Sequence, residues 1–172
     1  MALTSMLDAV NEVLIGIGEA PINSLDSGFV TASQAQAKIT RVSRQVQERG
    51  WYFNTEHQRE ISPDSDGYLT LPFNTLRVDA SSIKGGYLTQ RGKRLYNLKD
   101  HTYSFTQSEL IDIVIELDFE ELPEAAKTYI TLRAKRLFQD DILGDVEQHK
   151  IQTPDELEAI ATLQQMDSET AD

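Results

Sequence analysis

The stretch QERGWYFNTE (Gln47–Glu56) places the only Trp of the chain, a Tyr and a Phe at three consecutive positions directly after a glycine. Before this stretch, apolar residues recur every three or four positions, which is the period of a helix. After it they alternate, which is typical of strands. Gly50 occupies the position at which a left-handed residue ends a helix. The stretch therefore predicts the junction between a helical part and a β part of the chain.

The aromatic run itself is predicted to begin a strand. Neighbouring residues of a strand point to opposite faces, so Trp51 and Phe53 would share one face and Tyr52 would take the other. We therefore expect no three-ring platform for bases or sugars. Because aromatic side chains dominate core burial, we interpret Gly50, Trp51 and Phe53 as a structural joint that holds the β part to the helices.

Two amphipathic helices are predicted before the junction. The first carries apolar residues on one face from Leu3 to Ile17, and Ser5 with Asp8 forms an N-terminal capping pair. The second opens near Thr31 or Ser33 and ends before the glycine of the junction.

Alternating patterns predict strands from Trp51 to Phe119. The segment YLTLP (Tyr68–Pro72) is predicted as a strand, and GGYLTQ and RLYNL flank RGK as a hairpin with a glycine in its turn. The clearest strand is LIDIVIELDF, in which apolar residues alternate from Ile111 to Phe119. Helix returns after Pro123 and ends at Gly144.

A last helix is predicted to begin with Thr153 as its N-cap, Pro154 in its first turn and Glu156 as the capping acid. The order of the elements predicts an α+β fold, a bundle of four helices with an antiparallel β-domain inserted between the second and third helices. We place the helical bundle at residues 1–50 and 120–172 and the inserted domain at residues 51–119.

The composition excludes several classes of protein. In 172 residues with 40% hydrophobic content there is enough apolar surface for a real core, but no apolar run is long enough for a membrane span. The chain has no Cys, and its three His residues (His57, His101 and His149) are far apart in sequence. We therefore expect no metal, no cofactor and no membrane span.

The net charge is −12, and residues from Asp140 onward contribute nine of these negative charges. Such a balance disfavours a protein that wraps nucleic acid, because phosphate binding depends on Lys and Arg. A basic cluster, Arg91, Lys93 and Arg94, interrupts this pattern in the predicted hairpin turn, near Tyr87 and Tyr96. It would contact a phosphate backbone or an acidic partner, or it is a solvated turn.

The best candidates for catalysis are Asp112, Glu116 and Asp118 on the clearest strand. Glu116 and Asp118 would lie about 6 to 7 Å apart on one face, which suits a pair of carboxylates that hydrolyses a glycoside with inversion. Acids on the wet face of an antiparallel strand are also ordinary. We expect no catalytic residues, and keep a carbohydrate-degrading enzyme that uses these strand carboxylates as the alternative.

Several segments, in this order, resemble one known family. These are VNEVLIGIGEAPINSLD, SRQVQERGWYFNTE, LPFNTLRVD, RGKRLYNLKDHTYSF and FEELPEAAKTYITLRAKRLFQ. Together they are similar to the tail tubular protein A family, the head-to-tail adaptors or gatekeepers of short-tailed bacteriophages. The resemblance covers Leu7 to Gln139.

The resemblance implies a structural protein of the virion tail, made in the host cytoplasm. Family members assemble as a ring of twelve copies below the portal protein. The ring carries the nozzle, tail tubular protein B, and tail fibre protein attaches near that junction. Phage DNA passes through the channel without specific binding and is retained or ejected there.

On this reading, three groups of residues are candidate interfaces. Arg91, Lys93 and Arg94 would bind the nozzle or the fibre. A neighbouring copy or the portal would bind Lys127, Arg133, Lys135 and Arg136. The acids Asp155, Glu156 and Glu158 would face the portal or the lumen. We expect the acidic C-terminal segment to order fully only on assembly.

Overall fold

The computed structural model describes residues 3–79, 86–144 and 146–170, without the side chains of residues 143 and 146–153. Gly85 of the predicted hairpin and the acids Asp145 and Asp172 lie outside the described residues. The described elements are α1 (Met6–Gly16), α2 (Val30–Gln47), β1 (Thr55–Ile61), β2 (Thr75–Asp79), β3 (Leu88–Arg91), β4 (Arg94–Asn97), β5 (Glu109–Ile115), α3 (Glu124–Leu143) and α4 (Val146–Thr170).

These elements confirm the predicted α+β fold, because the strands lie between the second and third helices and pair in antiparallel fashion. The chain divides into two compact units. The helical unit comprises Met1–Val46 and Asp118–Asp172, and the β unit comprises Gln47–Leu117. The domain limits at residues 50 and 120 stay a prediction.

The helical unit begins with the predicted cap. The Ser5 hydroxyl accepts a hydrogen bond from the Asp8 amide at 3.2 Å, and the Asp8 carboxylate accepts one from the Ser5 amide at 2.9 Å. Two backbone N–H groups at the start of α1 that have no partner within the helix are thereby satisfied. Helices α1 and α4 pack against α3, and Lys38 of α2 forms an ion pair with Asp141 of α3. The core includes Val10, Val13, Leu14, Ile39, Ile130, Ala134, Phe138 and Leu163.

Helix α4 differs from its prediction. It spans Val146–Thr170 with Pro154 in its interior, so Thr153 is not the N-cap, and the Thr153 side chain lies outside those described. An interior proline removes one backbone hydrogen bond. Beyond Pro154 the helix packs against the rest of the helical unit, since Glu156, Ala159 and Leu163 are buried. That the acidic segment orders fully only on assembly stays a prediction.

The β unit contains two small sheets. One has the order β1-β5-β2, and the other is the β3-β4 hairpin. The hairpin is in register from Leu88 opposite Asn97 to Arg91 opposite Arg94, with Gly92 in a left-handed conformation in its turn, as predicted. One hydrophobic cluster fills the unit and includes Ile61, Leu69, Leu71, Leu88, Leu95, Ile111 and Ile113.

Two strand predictions are wrong. The segment Tyr68–Pro72 makes only isolated bridges, such as Thr70 with Arg94. Strand β5 ends at Ile115 instead of continuing to Phe119, which lies in a 3-10 turn (Phe119–Glu121). The alternation continues in the sequence, but the backbone of Leu117 binds a side chain instead of a neighbouring strand.

The Gln47 side chain binds the chain two residues beyond the end of β5. Its amide oxygen accepts a hydrogen bond from the Leu117 amide at 2.8 Å, and its amide nitrogen donates to the Leu117 carbonyl at 3.1 Å. Gln47 and Leu117 are the first and last residues of the β unit. A single fully buried side chain thus ties together the two points at which the chain enters and leaves this unit.

The Asn54 side chain adds hydrogen bonds between the same two parts of the chain. Its side-chain nitrogen donates to the carbonyls of Gln47 at 3.0 Å and Ile115 at 2.8 Å, and its side-chain oxygen accepts from the Trp51 amide at 2.8 Å. The residue is 1% exposed, so water does not replace these bonds. We call the side chains of Gln47 and Asn54 the neck clamp.

We predict that Asn54→Ala lowers the free energy of unfolding of the β unit by about 2 to 4 kcal/mol, because it leaves several buried backbone groups without partners. Urea unfolding followed by Trp51 fluorescence measures this, since Trp51 is the only Trp and lies in the β unit. The control is exposed Asn23→Ala, which should change little. Equal unfolding midpoints for both variants would contradict the role of the clamp.

Candidate functional site

The aromatic run is a turn and not the start of a strand, because the Asn54 side chain binds back to Trp51 and β1 begins only at Thr55. Trp51 and Phe53 stack with centroids 6.4 Å apart, and Tyr52 meets Phe53 edge-on at 5.4 Å. The prediction that Tyr52 lies apart from the other two rings is therefore wrong. Trp51 is 2% exposed, whereas Tyr52 and Phe53 are half-buried.

Gly50 has the left-handed conformation that the sequence indicates, with φ +79°. A Cβ atom here would lie 2.8 Å from Nη2 of Arg77 and 2.9 Å from Cγ2 of Val114, so no larger residue fits without a shift. Arg77 donates to the carbonyls of Glu48 and Arg49, which caps the end of α2. The sequence patterns do not reveal this role of Arg77. That the aromatic turn joins the two units stays a prediction.

The strand acids do not form the carboxylate pair that the alternative, an enzyme, would require. Glu116 and Asp118 both lie beyond the end of β5, so they do not share a strand face. Asp112 instead accepts hydrogen bonds from the Gln58 amide at 2.8 Å and from the His57 ring at 2.9 Å. These bonds stabilise a bulge of β1 at which Gln58 has the rare φ of +49°. Asp112, one of the three candidate acids, thus has a structural role.

The Gln58 amide, followed by the His57 ring, lowers the pKa of Asp112 below its usual value. A carboxyl with a lowered pKa is a poor general acid near neutral pH. The described residues contain no group of three or more His, Asp or Glu side chains that could hold a metal ion.

The lowered pKa of Asp112 predicts a pH dependence. Because its folded pKa is below the unfolded value, Asp112 stabilises the β unit above about pH 4 and ceases to do so as the pH falls through the lowered pKa. Asp112→Asn should therefore be less stable than the wild type at pH 7, and the difference should shrink at pH 3. Urea midpoints from Trp51 fluorescence at both pH values test this. A difference that persists at pH 3, or that also occurs in Asp66→Asn, would contradict it.

The basic residues of α3 bind acids of their own chain. Arg133 and Arg136 both contact the carboxylate of Glu156 on α4, and Arg136 also approaches Asp140 at 3.4 Å. Lys135 lies 3.5 Å from Glu12 of α1. The Glu156 carboxylate raises the pKa of Arg136 above its usual value. These pairs connect α1 and α4 to α3.

Two predicted interface residues are not accessible. Lys127 is 1% exposed, pairs with Glu124 at 3.4 Å and lies 5.9 Å from the centre of the Phe119 ring. Glu156 is 9% exposed, because both guanidinium groups of α3 cover it. Asp155 and Glu158, its neighbours on α4, are exposed. On α4, Glu156 therefore forms ion pairs within the chain, whereas Asp155 and Glu158 face solvent.

We predict that Glu156→Gln destabilises the helical unit by about 1 to 3 kcal/mol, because it leaves two partly buried guanidinium groups without their anion. Helix unfolding followed by circular dichroism measures this. The matched control is Glu158→Gln on the exposed side of the same helix. If both substitutions have the same small effect, the Glu156 pair does not hold α4 on α3.

The hairpin cations have a different environment. The Arg91 guanidinium lies 3.6 Å from the centre of the Tyr96 ring, and that of Arg94 lies 4.1 Å from the centre of the Tyr68 ring. Arg91, Lys93 and Arg94 are all exposed. Within the described ranges none of the three forms an ion pair with a carboxylate. Stacking holds the two guanidinium groups and leaves their edge N–H donors accessible.

The chain is similar to known proteins over most of its length. The family described as "Tail tubular protein" matches residues 7–172. Tail tubular protein A of Klebsiella phage KP34 is 30% identical over 140 residues, which are 81% of this chain and 74% of that protein. Among the described helices, none is both long and apolar enough to cross a membrane.

The α+β fold and these relatives define a structural protein of the bacteriophage virion tail. The chain belongs to the tail tubular protein family, as the resemblance of its sequence segments implies.

Proposed function

We propose that this chain is a head-to-tail adaptor without catalytic activity. Copies of the chain form a ring, twelve by analogy with the family, between the portal protein and the nozzle, tail tubular protein B. The ring extends the DNA channel and serves retention and ejection of the genome. The observation that carries the proposal is the similarity to tail tubular protein A of phage KP34 over most of both chains.

A ring of identical chains requires two different surfaces on each copy, which meet when the rotation closes. In α3, the side chains of Arg133 and Lys135 are 36% and 24% exposed, so a neighbour or the portal can still reach them. We assign the exposed acids Asp155 and Glu158 to the portal or to the lumen. An acidic lumen would repel DNA and let it slide without specific binding.

We assign the hairpin cations Arg91, Lys93 and Arg94 to the nozzle or the tail fibre. This assignment is supported by the contrast with α3, where the cations pair with carboxylates of the same chain. A cationic surface without such partners is suited to an acidic protein, and the rest of this strongly negative chain disfavours DNA as that partner.

The alternative, a carbohydrate-degrading tail component, gains no support from the carboxylates, since Asp112 binds the β1 bulge and Glu116 lies beyond β5. The substitution Glu116→Gln separates the two functions. An enzyme would lose turnover of a glycan substrate, whereas an adaptor would still assemble.

The decisive experiment mixes the chain with its cognate portal protein and images the product by electron microscopy. A ring of additional density below the portal is expected. Portal particles without that density, under conditions in which the chain remains folded, would contradict the adaptor function.

The hairpin assignment makes a separate prediction. Reversing the charges of Arg91, Lys93 and Arg94 to Glu should weaken binding of the nozzle or fibre protein to the ring by about tenfold or more, and leave portal binding intact. Raised salt should weaken the wild-type contact as well. Lys99→Glu, an exposed cation outside the hairpin turn, is the control. Unchanged attachment of both tail proteins would refute the assignment.

A further inference from the structure

Phe73 is the most exposed of the large apolar side chains that the structure describes, at 89%. It stands alone between half-buried neighbours, Pro72 and Asn74, in the turn before β2. A phenyl ring in water contributes nothing to the core of its own chain, so this ring is accessible to a partner.

The backbone on both sides of Phe73 is fixed. The Thr75 amide donates to the Pro72 carbonyl at 3.1 Å. The Asn74 carbonyl accepts from the Glu116 amide at 2.8 Å, and the Asn74 side chain donates to the Glu116 carbonyl at 3.1 Å. The turn therefore presents the ring in a defined position, and little conformational entropy remains to be lost when a partner covers it.

A groove of matching size lies in the helical unit, between the end of α1 and the start of α2. Its volume is about 140 Å³, close to the ~150 Å³ of an engineered apolar cavity that binds benzene. Its apolar lining comprises Leu14, Ala20, Pro21, Ile22, Phe29 and Ala32.

The groove wall is also fixed in place. The Asn11 side chain donates to the Ile22 carbonyl at 3.0 Å and accepts from the Ile22 amide at 2.8 Å. The rim is exposed, since Phe29 is 64% and the adjacent Val30 is 71% exposed. Exposed apolar residues that adjoin a groove are typical of an interaction surface.

We propose that Phe73 of one copy inserts into this groove of a neighbouring copy. The inference rests on the proposed ring, and it names a contact between adjacent copies. Phe73, which we call the knob, and the groove are different surfaces of one chain. Their contact is therefore heterologous, which is the kind of contact that builds rings.

The buried area explains why a second copy is the occupant that fits. One aromatic side chain buries about 150 to 250 Å², far less than the roughly 1,200 Å² that a stable pair of proteins needs. Such a contact is too small to recruit an independent partner by itself. Repeated around a closed ring, where every copy has one knob and one groove, it acts together with the other contacts of each junction.

The first test compares ring formation on the cognate portal for full-length variants. Phe73→Ser removes the knob and Ala20→Trp fills the exposed mouth of the groove. The control, Leu110→Ser, removes another exposed apolar side chain of the β unit, 58% exposed. Both knob and groove variants should need about tenfold or more protein to reach the wild-type number of rings. The control should match the wild type, and unfolding midpoints verify that all variants fold.

A second test locates the contact directly. With p-benzoylphenylalanine at position 73, illumination of concentrated protein should produce cross-links to peptides that contain residues 14–32 of another copy. Cross-links elsewhere, or none, would overturn the proposed contact. Rings that form equally well with Phe73→Ser would overturn it too, while leaving the adaptor function intact. If the wild type forms no rings, the adaptor function fails, and the cross-links alone decide the contact.

Discussion

The carboxamide of Gln47 is the constraint on which the β unit depends. It binds the amide and the carbonyl of Leu117, 70 residues further along the chain, and so fixes the entry of the unit against its exit. Asn54 extends the same network to Trp51 and Ile115. A buried network of this kind is strongly stabilising when every member is satisfied and costly when one member is lost.

Two exposed parts of the β unit, the turn of Phe73 and the β3-β4 hairpin, are also held by hydrogen bonds. Beyond Ile115, the last residue of β5, Glu116 pairs with Asn74 and Leu117 pairs with Gln47. The pair of Glu116 and Asn74 fixes the turn of Phe73. The hairpin is fixed in the same way through the backbone, since the Leu71 amide donates to the Lys93 carbonyl and the Leu95 amide to the Leu69 carbonyl. Hydrogen bonds thus hold the backbone of both the Phe73 turn and the hairpin that carries Arg91, Lys93 and Arg94.

Local patterns in the sequence were sufficient for the order of the elements, the cap of α1, the hairpin and the glycine that ends α2. Each of these depends on residues within a few positions of one another. The aromatic turn, the early end of β5 and the burial of Lys127 could not be read in this way. They depend on side chains whose partners are set by the tertiary structure, such as Asn54, Gln47 and the Phe119 ring. The candidate site was predicted less well than the fold for the same reason, since the sequence shows that a cation is present and not whether Glu156 neutralises it.

The neck clamp is tested most directly by hydrogen exchange of backbone amides in the full-length protein, measured by NMR for the wild type and for Gln47→Leu. We predict that the Leu117 amide of the wild type is protected almost as strongly as that of Ile113 in the core of β5. In the variant, Leu117 should exchange far faster while Ile113 stays protected. Rapid exchange of Leu117 in the wild type, or equal protection in both proteins, would contradict the claim that Gln47 closes the unit.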